Sequence, residues 1–232
     1  MKKMMVLLLF AAAAILLMLF SFQNGIGTSW DKLLKENGQS EKAIPAAGQK
    51  AQAEEEKPAI EEMFEAEKEV VIHIEGMEEK VKMQLNKGKN EDYVIYIDEE
   101  RYKMIKGEGD EPDVITTKEP LPEQYPEVLM TIEQVPEIDP DTLVDQVEAD
   151  LKEEFPDLRE VEQVTEPVEG YQLHGIANGG QKWDDPVVHA YVISNGQSGS
   201  FVITERYFLE AAEGHGARFY AMLQEFYIVE LE

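Results

Sequence analysis

Residues Lys2 and Lys3 precede an unbroken apolar run from Met4 to Phe20 in "MKKMMVLLLFAAAAILLMLFSF". At about 1.5 Å per helical residue, roughly 17 to 19 residues span about 26 to 28 Å, close to the ~30 Å hydrocarbon core of a bilayer. Residues 1–27 are therefore expected to form a signal anchor, a single membrane-spanning helix. The apolar part of a cleaved signal peptide is usually only about 7 to 15 residues. Gly25 and Gly27 nevertheless leave open a secreted form cut near Gly27. Lys32 and Lys35 nearly balance Lys2 and Lys3 across the run, and the bulk of the chain is placed outside the cell membrane. That topology leaves about three residues inside, which disfavours a signalling receptor.

The remaining composition narrows the classes further. A formal net charge of -27 repels nucleic acid and anionic lipid surfaces, because phosphate binding needs clustered Lys and Arg. The chain has no Cys, so disulfides, thiolate metal sites and a Cys nucleophile are all ruled out. With 232 residues, 43% of them hydrophobic, one sizeable core is expected.

Residues 28–64 read as a short juxtamembrane helix, "TSWDKLLKENG", followed by a flexible acidic linker. The linker is rich in Ala, Gln, Glu, Lys and Pro and offers too little apolar surface to offset its ordering entropy. Its Glu54-Glu55-Glu56 run is read as solvated. Residues 65–232 form the expected globular domain. There the hydrophobic period becomes two, in a hairpin from Val70 to Leu85 turning near Gly76, then a second from Tyr93 to Ile97 and Tyr102 to Ile105. "GEGDEPD" at 107–113 reads as a loop, and prolines bracket a strand from Val128 to Val135.

"DPDTLVDQVEADLKEEF" predicts a helix capped by Asp139, with Leu143, Val147, Leu151 and Phe155 on one face. Four strand candidates follow: "LREVEQVTEPV", "GYQLHGIA", "PVVHAYVIS" and "GSFVITERYF". The last two are joined by a loop at Asn195-Gly196 that is longer than two residues. "RFYAMLQEF" predicts a closing helix carrying Phe219, Met222, Leu223 and Phe226. Strand runs interrupted by two helices give an α+β fold, an antiparallel β-sheet with helices packed on it.

Chemistry-bearing residues fall in four places. Glu210, Glu213 and His215 crowd the junction "LEAAEGHGARF", where a metal or proton-transfer site competes with a bend made by Gly214 and Gly216. The spacing fits no ligand signature, which favours the bend. His174 and His189 lie on neighbouring strands and are candidate metal ligands together with Glu213 and His215, while His73 sits on another strand. The 107–113 loop has many oxygen ligands but not the spacing of a helix-loop-helix calcium site. Trp183, Asp184 and Asp185 in "NGGQKWDDP" can form an exposed recognition loop or the edge of the core. No phosphate loop, nucleophile elbow or H-E-x-x-H is present.

The order of these elements, a hairpin-built sheet, a capped helix after an "MTI" strand, then "VVHAYVISNGQSGSFVITERYFLEAAEGHGARFYAMLQEF", resembles the PsbP/Mog-like superfamily over roughly residues 90 to 230. That resemblance implies an α/β/α sandwich and a non-catalytic accessory role. One branch of the superfamily assists a photosynthetic oxygen-evolving complex, another binds a small GTPase, and many bacterial members are membrane-tethered. The expectation is a membrane-anchored extracytoplasmic binding or assembly module with no cofactor. Its partners would be the membrane, through the N-terminal helix, and another extracytoplasmic or membrane protein, with no nucleic acid. The alternative is a metal-binding protein or metal-dependent enzyme using the strand histidines or the 210–215 turn.

Overall fold

A computed structural model describes residues 59–229. The expected anchor, the juxtamembrane helix and nearly all of the linker lie outside these residues. Among the described residues no helix is long and apolar enough to cross a membrane.

Two antiparallel sheets build the fold. In chain order the elements are α1 (Ile60–Met63), β1 (Glu67–Ile74), β2 (Met77–Lys87), β3 (Tyr93–Ile97), β4 (Tyr102–Ile105), β5 (Asp113–Thr117), β6 (Leu129–Val135), α2 (Pro140–Glu154), β7 (Glu162–Val164), β8 (Gly170–Ile176), β9 (Pro186–Ser194), β10 (Ser200–Phe208), α3 (Ala217–Leu223) and β11 (Phe226–Ile228). One sheet has the order β1-β2-β3-β11 and the other β4-β5-β6-β10-β9-β8-β7. The described domain is α+β, mostly antiparallel sheet with few helices.

The first hairpin matches expectation, and its register explains the turn. Ile74 pairs with Met77, leaving Glu75 and Gly76 as a two-residue loop, both with positive φ (51° and 77°). That is the turn whose twist suits a tight hairpin. Between β9 and β10, Ser194 pairs with Ser200, so the loop is five residues long. Asn195 Oδ1 closes it by accepting from the amides of Gln197 and Gly199.

The expected hairpin over 93–105 is not formed, since β3 belongs to the four-stranded sheet and β4 to the seven-stranded one. All five β3 residues are buried, and the strand is paired on both sides, by β2 and β11. Asp98, only 1% exposed, turns the chain from one sheet to the other. Its carboxylate accepts from the Glu100 amide (3.2 Å) and from Arg101 and Arg218 (3.3 Å each). Both guanidiniums also reach Glu79 on β2, Arg218 at 2.6 Å and Arg101 at 3.0 Å. A lone buried carboxylate would be costly, and two arginines offset it here.

The closing helix ends sooner than its apolar spacing suggests. Glu225 N donates to Met222 O, Tyr96 N then donates to Glu225 O, and Phe226 enters β11 instead of continuing the helix. Strand β5 has no counterpart in the expected elements, because "DVITT" is short and adjoins the polar loop. A helical turn over Ile60–Met63, within the stretch read as linker, buries Ile60 against Val94 and Val229.

Side chains from both sheets meet in one core, including Met83, Ile95 and Ile97 from one and Tyr191, Ile193, Phe201 and Ile203 from the other. Helix α2 covers the opposite face of the larger sheet, against β8 and β9. Asp139 caps it as expected, its side chain accepting from Thr142 N at 3.0 Å. Gly175 is required beneath it, since a Cβ there would lie 2.9 Å from the Phe155 Cβ.

Replacing Arg218 with alanine is expected to cost about 2–4 kcal/mol in urea unfolding, since it strips a guanidinium from buried Asp98. Asp139→Ala, which removes only a helix cap, should cost about 1 kcal/mol.

Candidate functional site

The 209–216 junction is a continuous winding rather than a sharp bend. A tight turn over Leu209–Ala211 runs into a wider one over Ala212–Gly216 and then into α3. Neither Gly214 nor Gly216 has a positive φ, so left-handed freedom is not what glycine supplies here. Gly216 is needed for close approach, because a Cβ would sit 3.0 Å from the Tyr207 ring. Glu210 and Glu213 face solvent while His215 turns inward. There its Nδ1 is 2.7 Å from the Tyr102 hydroxyl. The three residues are not brought together.

His174 and His189 do meet, as a cross-strand pair on β8 and β9. Their rings stack with centroids 4.3 Å apart and planes 19° apart. A metal ion lies in the plane of each ligating imidazole at about 2.0–2.1 Å, which two stacked rings do not offer at one point. Burial lowers the pKa of both, His189 to about 4. Gln172 Nε2 lies 3.3 Å from His189 Nδ1 and donates to the Tyr191 hydroxyl at 3.0 Å. No group of three or more His, Asp or Glu among the described residues is placed to hold a metal ion.

The 107–113 loop closes on a lysine. Lys89 Nζ donates to the carbonyls of Gly109 (2.8 Å) and Glu111. Buried Asp113 accepts from Gly107 N (2.8 Å), Lys89 N (2.9 Å) and the Tyr93 hydroxyl (2.6 Å). An ammonium group already occupies the cation position that its carbonyls create.

The loop between β8 and β9 presents Trp183, 43% exposed. Its ring meets Tyr125 (5.2 Å) and Phe208 (5.8 Å), and Tyr125 meets Phe208 (5.6 Å), so the three aromatics brace one another. Tyr125 is itself 38% exposed and belongs to the proline-rich segment 120–126, which frames a shallow groove of about 410 Å³. Asp185, expected as a recognition residue, is instead buried and organises the loop. It accepts from the amides of Gln181 (2.7 Å) and Lys182 (2.8 Å) and from Asn178 (3.0 Å). Those bonds hold its carboxyl below the ordinary range. Asp184 is half-buried beside it. Leu209 N and Glu210 N donate to the carbonyls of Asp185 and Trp183, tying this loop to the 209–216 winding.

Sequence reading missed Glu205. It is 2% exposed on the inner face of β10, in one alternating row with Phe201, Ile203 and Tyr207, and its Oε1 has no partner. The period-two pattern could have flagged it, as an acid at an apolar position. Burial raises its pKa to about 8.

No family model matches the chain, and no curated protein matches it in sequence.

Glu205 and His189 link stability to pH in opposite senses. Folded Glu205 keeps its proton up to about pH 8, whereas the unfolded group ionises near 4.5, so its stabilising contribution falls as pH rises through that window. Folded His189 stays neutral down to about pH 4 against 6.5 unfolded, so its contribution falls as pH drops below 6.5. Urea unfolding should show Glu205→Gln gaining roughly 3–5 kcal/mol on wild type at about pH 8 and little at about pH 4.5. An equal difference at both pH values would contradict the assignment.

Proposed function

We propose that the protein is a binding or assembly module without catalysis of its own, anchored in the cell membrane by residues 1–27 with its folded domain extracytoplasmic. The observation that carries this reading is the Trp183–Tyr125 face. Two large exposed rings stand on loops fixed by the Asp185 hydrogen bonds and by mutual contact with Phe208. Rigid aromatic side chains of this kind lose little entropy on docking and dominate the energy of protein interfaces. The polar groups nearby are engaged in holding loops, His215 on Tyr102 and Asp185 on backbone amides, which favours recognition over bond-making.

The superfamily proposal is the PsbP/Mog-like α/β/α sandwich. Its support is the order of elements in the second half of the chain: β9, β10, an aromatic corner at Phe208, a glycine-containing winding and α3, with α2 on the far face of the larger sheet. The apolar run from Met4 to Phe20 supports the anchor, and the net charge of -27 supports a protein partner over nucleic acid.

A photo-crosslinking residue at position 183 or 125, in full-length protein expressed in its native membrane, is expected to capture one neighbouring protein. The same group at position 145, on the exposed face of α2, should not. Trp183→Ala should weaken recovery of that neighbour at least tenfold while costing urea stability only about 1–3 kcal/mol, the loss of its contacts with Tyr125 and Phe208. Equal capture from all three positions would contradict the proposal.

A further inference from the structure

The four strands that end the two sheets are not protected alike. Three carry charged side chains along the edge: Glu67, Lys68 and Glu69 on β1, Lys103 on β4 and Glu162 on β7. Charge at an edge is a common guard against pairing with a further strand. The fourth, β11, reads Phe226, Tyr227, Ile228 and carries none.

Among the described residues nothing pairs with its backbone on the outer side either. Tyr96 N donates to Glu225 O at 3.2 Å, and Val229 N donates to Asp92 O at 2.9 Å. Hydrogen-bonded pairs alternate along an antiparallel ladder, so Tyr227 faces β3 while the N–H and C=O groups of Phe226 and Ile228 face outward. Among the described residues no strand lies beyond them.

That edge opens on a groove of about 830 Å³, shared with β7, the end strand of the other sheet. Val164, Val168, Ile193 and Ile228 supply apolar lining. Among the described residues, the only charged side chains lining it are Asp141 and Glu169, both acidic and both exposed. The groove and the Trp183 loop adjoin opposite ends of β9, at Ser194 and Pro186, so about 26 Å of strand separates them.

We propose that the groove beside β11 is a strand-addition site that takes an extended peptide segment of a partner, with alternate apolar side chains and at least one Lys or Arg. Backbone groups of Phe226 and Ile228 would pair with the segment, the apolar lining would take every second side chain, and Asp141 and Glu169 would select the basic one. A second copy of this chain is disfavoured as occupant, because it would bring the same two acids and the same net charge of -27 to the groove.

The test uses full-length protein in detergent micelles and a synthetic seven-residue peptide alternating valine with threonine and lysine. Binding is expected to slow amide exchange at Phe226 and Ile228 at least tenfold. A peptide with glutamate in place of lysine, or with alternate amides N-methylated, is expected to bind at least tenfold more weakly. Asp141→Lys combined with Glu169→Lys, two exposed changes that leave the core intact, should reverse the preference between the lysine and glutamate peptides. Equal binding of the N-methylated peptide, or no binding, would overturn the proposal. So would protection of the two amides without peptide that rises with protein concentration, which assigns the edge to a second copy. Protection without peptide that is lost on cutting away residues 1–58 would assign it to the chain itself and overturn it equally. None of these outcomes bears on the Trp183 face, which the crosslinks test separately.

Discussion

The buried carboxylate of Asp98 has to be neutralised where the chain leaves one sheet for the other, and much of the domain's geometry follows from that. Arg218 reaches back from α3 to meet it and extends to Glu79 on β2. Strand, corner and helix are thereby held at one point. Helix α3 can then end at Leu223 with the chain already alongside β3, so that β11 joins the smaller sheet after only two intervening residues. An ion pair that does little for net stability can still fix which elements meet.

Several of the polar residues inside the domain serve this architecture. Asp113 gathers the 107–113 loop onto Tyr93 and Lys89, and Asp185 gathers the β8–β9 loop. The stacked histidines and Glu205 sit among tyrosines on the inner face of the larger sheet, where burial keeps the imidazoles neutral and favours the protonated acid. The two surfaces proposed for partners lie at the margins: aromatic rings at one end of β9 and a strand edge without charged residues near the other.

Much of the fold was legible in the sequence because local rules decided it. Glu75-Gly76 dictates its own hairpin turn, and Asp139-Pro140 dictates the start of α2. Errors arose where distant residues decide. Nothing near Tyr93–Ile97 says that its partners are β2 and β11, and nothing in "QEF" says that Tyr96 will draw the backbone out of a helix. At the site, the pairing of His174 with His189 followed from strand placement, whereas the sequence left Trp183 open between an exposed loop and the edge of the core. The burial of Asp185 did not, because its three donors come from a loop whose path the sequence leaves open. Glu205 was readable from alternation alone.

The proposed mode of action is contact through fixed surfaces rather than chemistry at a pocket. Its most direct test is hydrogen–deuterium exchange on the complex purified from native membranes, compared with the protein alone. Slowed exchange over residues 120–128 and 181–185 is the expected footprint. Protection confined to the outer face of α2, or an exchange pattern identical to that of the isolated protein, would contradict the account.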